Sequence, residues 1–256
     1  MVSPSLPGTA SGSGSGRILI NSIPKSGTYL LGKLLESLGF QGGEFHFRNS
    51  HYWDWTIDRT LEEHIENQKK FRVDASFGEA IERVGPGYFY AHLYFDEATD
   101  LILKKQDVRT HFFLVRELRE ALVSMYRFQF HQRGKEEPEE NRQALFAAWI
   151  TKHAASHLHG MGMQIPWVSR SSLTIPYADL IGDRGPQAQA DLLACIAGVL
   201  DLDPDHVQAV FHRSAIGLKT RTYIGRPSRI DDYWSDAAET VFLALGGDQM
   251  NRQLGG

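Results

Sequence analysis

Short runs of consecutive apolar residues alternate along this chain with longer runs whose apolar positions recur every three or four residues. The first short run is "RILINSI", from Arg17. "TYLLGKLLESLG" follows with helical spacing, and Gly39 is placed to stop it. Next, "GYFYAHL" reads as a strand and "DEATDLILKKQ" as a helix, acidic at its start and basic at its end, as the helix dipole prefers. "THFFLV" and "ELREALVSMYRFQF" repeat the pair. "EENRQALFAAWITKHAASHLHG" is a long amphipathic helix, and "SSLTIPY" is a fourth strand. "PQAQADLLACIAGVL", "DPDHVQAVFHRS" and "DAAETVFLALGG" read as the remaining helices. Strands alternating with helices predict an α/β fold: one domain of three layers, α/β/α, around a mostly parallel sheet. In such sheets ligands sit outside the carboxyl ends of the strands. The stretch from Gly43 to Gly85 shows neither period and stays unassigned. "GKEEPEE" reads as a solvated loop, and "KTRTYIGRPSRIDDYW" as irregular.

Composition narrows the classes. With 42% hydrophobic and 23% charged residues, an ordinary soluble core is expected. A formal net charge of −4 argues against a non-specific grip on nucleic acid and leaves room for a local basic pocket. The single cysteine, Cys195, has no intramolecular partner and is expected to pack in a helix core. A reducing, cytoplasmic setting fits that usage. Residues 1–16, rich in Ser, Gly and Pro, lack the basic start and apolar core of a signal peptide, and read as a flexible tail or a tether to a neighbouring domain. The folded domain is expected over 17–256, with no apolar run near the ~18 residues of a membrane span.

The junction "NSIPKSGTYL" carries the first chemistry. A loop between strand and helix can aim backbone N–H groups and a helix N-terminus at an anion. Laid on the Walker pattern G-x-x-x-x-G-K-[ST], Gly27 takes the second glycine, Thr28 stands for the lysine and Tyr29 for the magnesium-binding hydroxyl. Ser22 replaces the first glycine, and Lys25 comes two residues early. The anion cradle is kept and the magnesium ligand is lost. A second cue is Arg116, directly after the strand "HFFLV", where its fork can grip a phosphate. Ser124, eight residues on, is about two helical turns away and near the same face.

"PKSGTYLL" resembles the phosphosulfate loop of sulfotransferases that use 3'-phosphoadenosine 5'-phosphosulfate (PAPS), with Tyr29 where that family usually has Trp. "FFLVRELREALVSMY" is similar to its strand-to-helix segment V-R-N-P-R-D-x-x-V-S, with Glu117-Leu118 in place of Asn-Pro. The resemblance runs over most of the chain from Arg17. It implies a P-loop nucleoside triphosphate hydrolase-like fold and PAPS as co-substrate, with PAP as product. Lys25, Ser26, Gly27, Thr28 and Tyr29 would cradle the phosphosulfate, and Arg116 and Ser124 would hold the 3'-phosphate. It also implies that Ser124 holds Lys25 back from the sulfuryl until the acceptor binds. "TIPYADLIGD" resembles the family's strand-end "FYEDL", which puts Tyr177 against the adenine. Arg221 and Thr222 match the start of its basic closing loop, with Arg226 as the fallback phosphate ligand.

Sulfuryl transfer to a hydroxyl needs a base, in-line positioning and a stabiliser for charge on the leaving oxygen. Histidine suits the first role because its pKa lies near working pH. Among 11 histidines, His92 sits at a strand's carboxyl end in "GYFYAHLYF", which resembles the family's K-T/S-H-L-P segment. His92 is therefore the expected base, and Lys25 the stabiliser of the leaving oxygen. "EFHFRNSHYWDW", dense in aromatics and histidine, is equally an acceptor wall or the packing of a long loop. Its Glu44, His46 and His51 are candidate acceptor contacts. The pair His153/His157 has zinc spacing, but no Glu follows the first His and no Cys is near, so metal is set aside. The expected partner is a small-molecule or carrier-bound hydroxyl compound, with no metal. Two rivals remain: a small-molecule kinase using ATP and magnesium, and a non-catalytic nucleotide-binding protein. The oligomeric state is open.

Overall fold

Alternation at period two gives each central strand two apolar faces, and that dictates helices on both sides of a sheet. A computed structural model describes residues 16–56, 72–131, 140–214 and 229–255. Its sheet has seven strands in the order β4-β3-β2-β5-β1-β6-β7. They are β1 Arg17–Ser22, β2 Gly42–Phe47, β3 His51–Asp54, β4 Arg72–Asp74, β5 Gly87–Ala91, β6 Val108–Val115 and β7 Leu173–Pro176. β1 lies in the middle, parallel to β5 and β6, and β2 and β7 extend the parallel set on either side. Only β3 runs against this set; β4, at the edge, pairs antiparallel with β3 and so points the same way as β2.

The helices are α1 Thr28–Ser37, α2 Phe77–Ala80, α3 Glu97–Lys105, α4 Leu118–His131, α5 Arg142–Gly162, α6 Tyr177–Ile181, α7 Pro186–Leu200, α8 Pro204–Ser214, α9 Asp236–Ala244 and α10 Gly247–Gln253. One core joins Leu19, Phe89 and Phe113 of the sheet to Leu122 of α4 and Phe146 and Ile150 of α5. The other joins Ile20, Tyr90 and Phe112 to Leu34 of α1 and Leu193 and Ile196 of α7. These side chains are buried, each worth roughly 1.5–3 kcal/mol against exposure. This is the mostly parallel α/β architecture expected from the alternating pattern.

Four features differ from the sequence reading. The stretch left unassigned holds β2, β3, β4 and α2, the last opened by a reciprocal capping box between Ser76 and Glu79. "EFHFRNSHYWDW" is a hairpin, not a long loop; Arg48 N–H donates to His51 O at 2.8 Å to close a tight turn. Its apolar residues alternate too briefly between aromatic and polar neighbours to show a period. Short helices α6 and α10 were not anticipated. Cys195 is exposed, because α7 turns Leu192, Leu193, Ile196 and Ala197 inward and leaves Cys195 on the outer face. No helix among the described residues is long and apolar enough to cross a membrane.

Candidate active site

Four strand ends meet at one edge of the sheet. β1 leads to Lys25, β5 to His92, β2 to Arg48 and β6 to Arg116. Register fixes the order: Asn21 pairs with Ala91, and Phe47 pairs with Ala91 from the other side. Arg48, His92 and Ser22 are therefore the next residues on adjacent strands. His92 N–H extends the ladder by donating to Phe47 O at 2.9 Å.

The loop from Ile23 to Gly27 is built for an anion. Gly27 stands at the N-cap of α1 with φ 86°, and no side chain caps the helix. A Cβ on Gly27 would come within 2.8 Å of the Tyr177 ring, so only glycine fits. Lys25 also has positive φ, 73°. A non-glycine residue held there costs about 1–3 kcal/mol, a strain typical of functional loops. The Ser26 hydroxyl is buried with no hydrogen-bond partner among the described residues. An oxygen ligand in the loop would satisfy it, so the cradle fits a phosphosulfate group.

Cations crowd this loop. Arg116 donates from Nη1 to Lys25 O at 3.0 Å, pairs through Nε with Glu120 at 3.0 Å, and lies 4.4 Å from the Tyr177 ring centroid. Lys25 Nζ sits 3.8 Å over the Phe128 ring. Desolvation, then the charges of Arg116 and Arg127, lower the Lys25 pKa from 10.5 to about 7. Ser124 is one turn before Phe128 on α4, and none of its described hydrogen bonds reaches Lys25; the Phe128 face holds the ammonium instead.

The arginine turn is braced from afar. Glu117 caps α4 by accepting from Glu120 N–H at 2.9 Å. Asn251 of α10 accepts from Leu118 N–H at 2.8 Å and donates to Glu117. Arg119 bridges Glu117 at 2.9 Å and Glu239 at 2.8 Å.

His92 is held as a neutral base. Its Nδ1 lies 2.8 Å from Ser22 O, a pure acceptor, so Nδ1 carries the proton and Nε2 keeps its lone pair. Gln164 Nε2 donates to the same carbonyl at 3.1 Å and to Leu93 O at 3.3 Å. Asn21 Oδ1 accepts from Leu93 N–H at 2.9 Å, tying β5's exit to β1. Ser22 Oγ, 3.0 Å from Nδ1, bonds Thr28 Oγ1 at 2.7 Å. Desolvation and then the charge of Arg48 push the His92 pKa down to about 3, with a smaller push from Lys25.

His46 is buried with its ring 4.6 Å from that of His92, and its Nδ1 lies 2.8 Å from the Tyr29 hydroxyl. His51, on β3, packs edge-on against Trp53 at 4.8 Å. Glu44 is exposed on β2, and no described hydrogen bond or ion pair joins its carboxylate to this group. Tyr177, expected at a strand end, opens α6 and reaches both Gly27 and Arg116. Arg221, Thr222 and Arg226 lie outside the described residues, as do residues 1–15 of the tail. Sequence reasoning missed Asn21, Arg48, Arg127, Phe128 and Gln164. For Arg48 a signal existed: it stands two residues after His46 in a histidine-rich run.

No protein-family model matches the chain. No curated protein matches it by sequence. Among solved structures, it is similar to mouse sulfotransferase SULT7A1 complexed with PAP. The TM-score is 0.55 at 18% identity, over 94% of this chain and 88% of that one. The chain thus has the fold seen in that sulfotransferase, and its Ile23–Gly27 loop, Arg116 and His92 gather at the strand ends where ligands of parallel sheets bind.

Proposed function

We propose that the protein is a PAPS-dependent sulfotransferase acting on a hydroxyl acceptor. The observation that carries this reading is the convergence of Lys25, Arg116 and Arg127 on an uncapped helix N-terminus, one strand away from a neutral histidine. A buried lysine crowded by two arginines calls for a polyanion. PAPS, when bound, supplies the sulfuryl group and a leaving phosphate. The N-terminus of α1 and Lys25 stabilise charge on the bridging oxygen. Arg116 and Ser124 grip the 3'-phosphate, for which Arg116 exchanges its bond to Glu120. Tyr177 packs beside the adenine. His92 Nε2 takes the acceptor's proton, while Ser22 O holds the ring through Nδ1–H. SULT7A1's complex with PAP supports the choice of nucleotide.

The kinase reading is weakened by the commitments of the α1 hydroxyls. Tyr29, at the magnesium-ligand position, is bonded to His46, and Thr28 to Ser22. A non-catalytic role does not explain why His92 is held in the tautomer of a base.

Thermal shift separates the readings. At 100 times its Kd, 3',5'-ADP should add about 2.7 kcal/mol of stability. Stabilisation by ATP–magnesium but not by 3',5'-ADP would overturn the proposal.

A further inference from the structure

We infer that the acceptor carries an anionic group, a carboxylate or phosphate, that docks on Arg48 on the far side of His92 from the nucleotide. This deepens the sulfotransferase reading and rests on it.

The placement comes from the sheet. Arg48 follows Phe47, whose carbonyl receives His92 N–H, so the two residues leave neighbouring strands side by side. Arg48 is fixed there on both flanks. Its own N–H closes the β2–β3 turn on His51 O. The next residue, Asn49, bonds Tyr94 twice: Tyr94 N–H donates to Asn49 Oδ1 at 2.8 Å, and Asn49 Nδ2 donates to Tyr94 O at 3.3 Å. A turn so tied holds its arginine in place beside the base.

Among the described residues the guanidinium has no acid of its own. Arg119 sits on Glu239 and Arg72 on Asp74, yet no carboxylate among the described residues pairs with Arg48. Desolvation is the largest influence on it; it hydrogen-bonds the Tyr94 side chain and also feels Tyr29, both neutral partners that leave its charge unbalanced. Its charge reaches His92, His51 and His157. A partly buried arginine among neutral rings is an incomplete ion pair, and a ligand that completes it gains a forked, charge-assisted bond.

The side of the site follows from which charges feel which. Lys25 is influenced by Arg116 and Arg127. His92 is influenced by Arg48 and Lys25. Along the strand ends the order is Arg116, Lys25, His92, Arg48, so the nucleotide's phosphates lie at one end and Arg48 at the other. An anion on Arg48 also neutralises the charge that most weakens His92 as a base. The correct acceptor would therefore raise the basicity it needs, and a neutral look-alike would not.

Paired probes test this. 4-Hydroxyphenylacetate, 3-hydroxybutyrate and 12-hydroxydodecanoate, each with its primary amide, are titrated calorimetrically into the protein with and without 3',5'-ADP. Transfer from PAPS is measured for the same pairs. At least one acid should bind roughly 10- to 100-fold tighter than its amide, as expected of a charged hydrogen-bonded pair. Arg48→Met should erase that preference with 3',5'-ADP affinity kept, and Arg48→Lys should retain part of it. Acids and amides that bind alike, or a preference that survives Arg48→Met, would overturn the inference. So would equal loss of transfer to acid and amide in Arg48→Met, which would make Arg48 a partner of the sulfuryl group instead. Failure of 3',5'-ADP to bind the wild type would sink the sulfotransferase reading separately, since the acid–amide comparison is also made without nucleotide.

Discussion

The two halves of the site handle charge in opposite ways. At the β1 and β6 ends, burial and then the nearby charges of Arg116 and Arg127 depress Lys25 to about 7. At the β5 and β2 ends, one arginine stands among rings: Tyr29 and Trp53 lie edge to face on His46, and the His92 ring is tilted against it, all within 6 Å. The first half suits a ligand that brings several negative charges and is the same in every turnover. The second suits a ligand that is largely apolar with one polar anchor. His92 lies on the border, and charges from both halves lower its pKa. On the proposed reading, His92 would gain basicity only with both ligands present, which would tie proton removal to a complete complex.

Replacing His92 by Ala should have the largest effect: transfer falls ~10²- to 10⁴-fold, the range of a lost general base. Affinity for 3',5'-ADP, measured by calorimetry, should hold. Loss of both together would mean that the border does not exist and the halves act as one.

Lys25→Met comes next, with kcat reduced ~10²- to 10³-fold, as for loss of an oxyanion stabiliser. Its pH behaviour sharpens the contrast. Between pH 7 and 10.5 the unfolded chain holds a proton on Lys25 that the folded chain lacks, so stability rises with pH across that window. Lys25→Met should therefore raise Tm at pH 7, and the gain should fade toward pH 10.5. Binding of 3',5'-ADP near pH 8 should take up a proton in the wild type and none in the variant, read from calorimetry in buffers of different ionisation enthalpy. Equal proton uptake in both would assign the titration to another group.

Arg116→Ala should weaken 3',5'-ADP by roughly 10- to 100-fold and leave the acid–amide preference of acceptors alone. A change in acceptor preference of similar size would show that the halves are coupled through Lys25 O, which Arg116 touches. The smallest effect is expected from Asn251→Ala: a destabilisation of about 1–2 kcal/mol with a few-fold loss of 3',5'-ADP affinity. Unaltered affinity would show that Glu117 and Arg119 hold the arginine turn without α10.

The contrast also explains which parts could be read from the sequence. The half around Lys25 and Arg116 is made at strand-to-helix junctions, where a few adjacent residues such as "PKSGT" carry both geometry and chemistry. The central strands were equally legible, since "RILI" and "HFFLV" are buried on both faces. The acceptor half arises from pairing. Nothing near Arg48 says that it will stand next to His92; that follows from β2 joining β5 rather than β1. Phe128 was hidden for a similar reason, because a phenylalanine on an amphipathic helix reads as core until a lysine is found over its ring. Gln164 looked like a helix-end polar residue, yet it shares Ser22 O with the base.

The brace between Glu117 and Asn251 has a consequence for the order of events during synthesis. The two residues are 134 positions apart. At ~5–20 residues per second, a ribosome takes on the order of ten seconds to travel from one to the other. During that interval the phosphate loop and Arg116 have already been made, but the turn that aims the arginine lacks its far support. The Glu117 turn therefore gains its far brace only after Asn251 has been made and α10 has docked, so the geometry around Arg116 is among the last features of the fold to be completed.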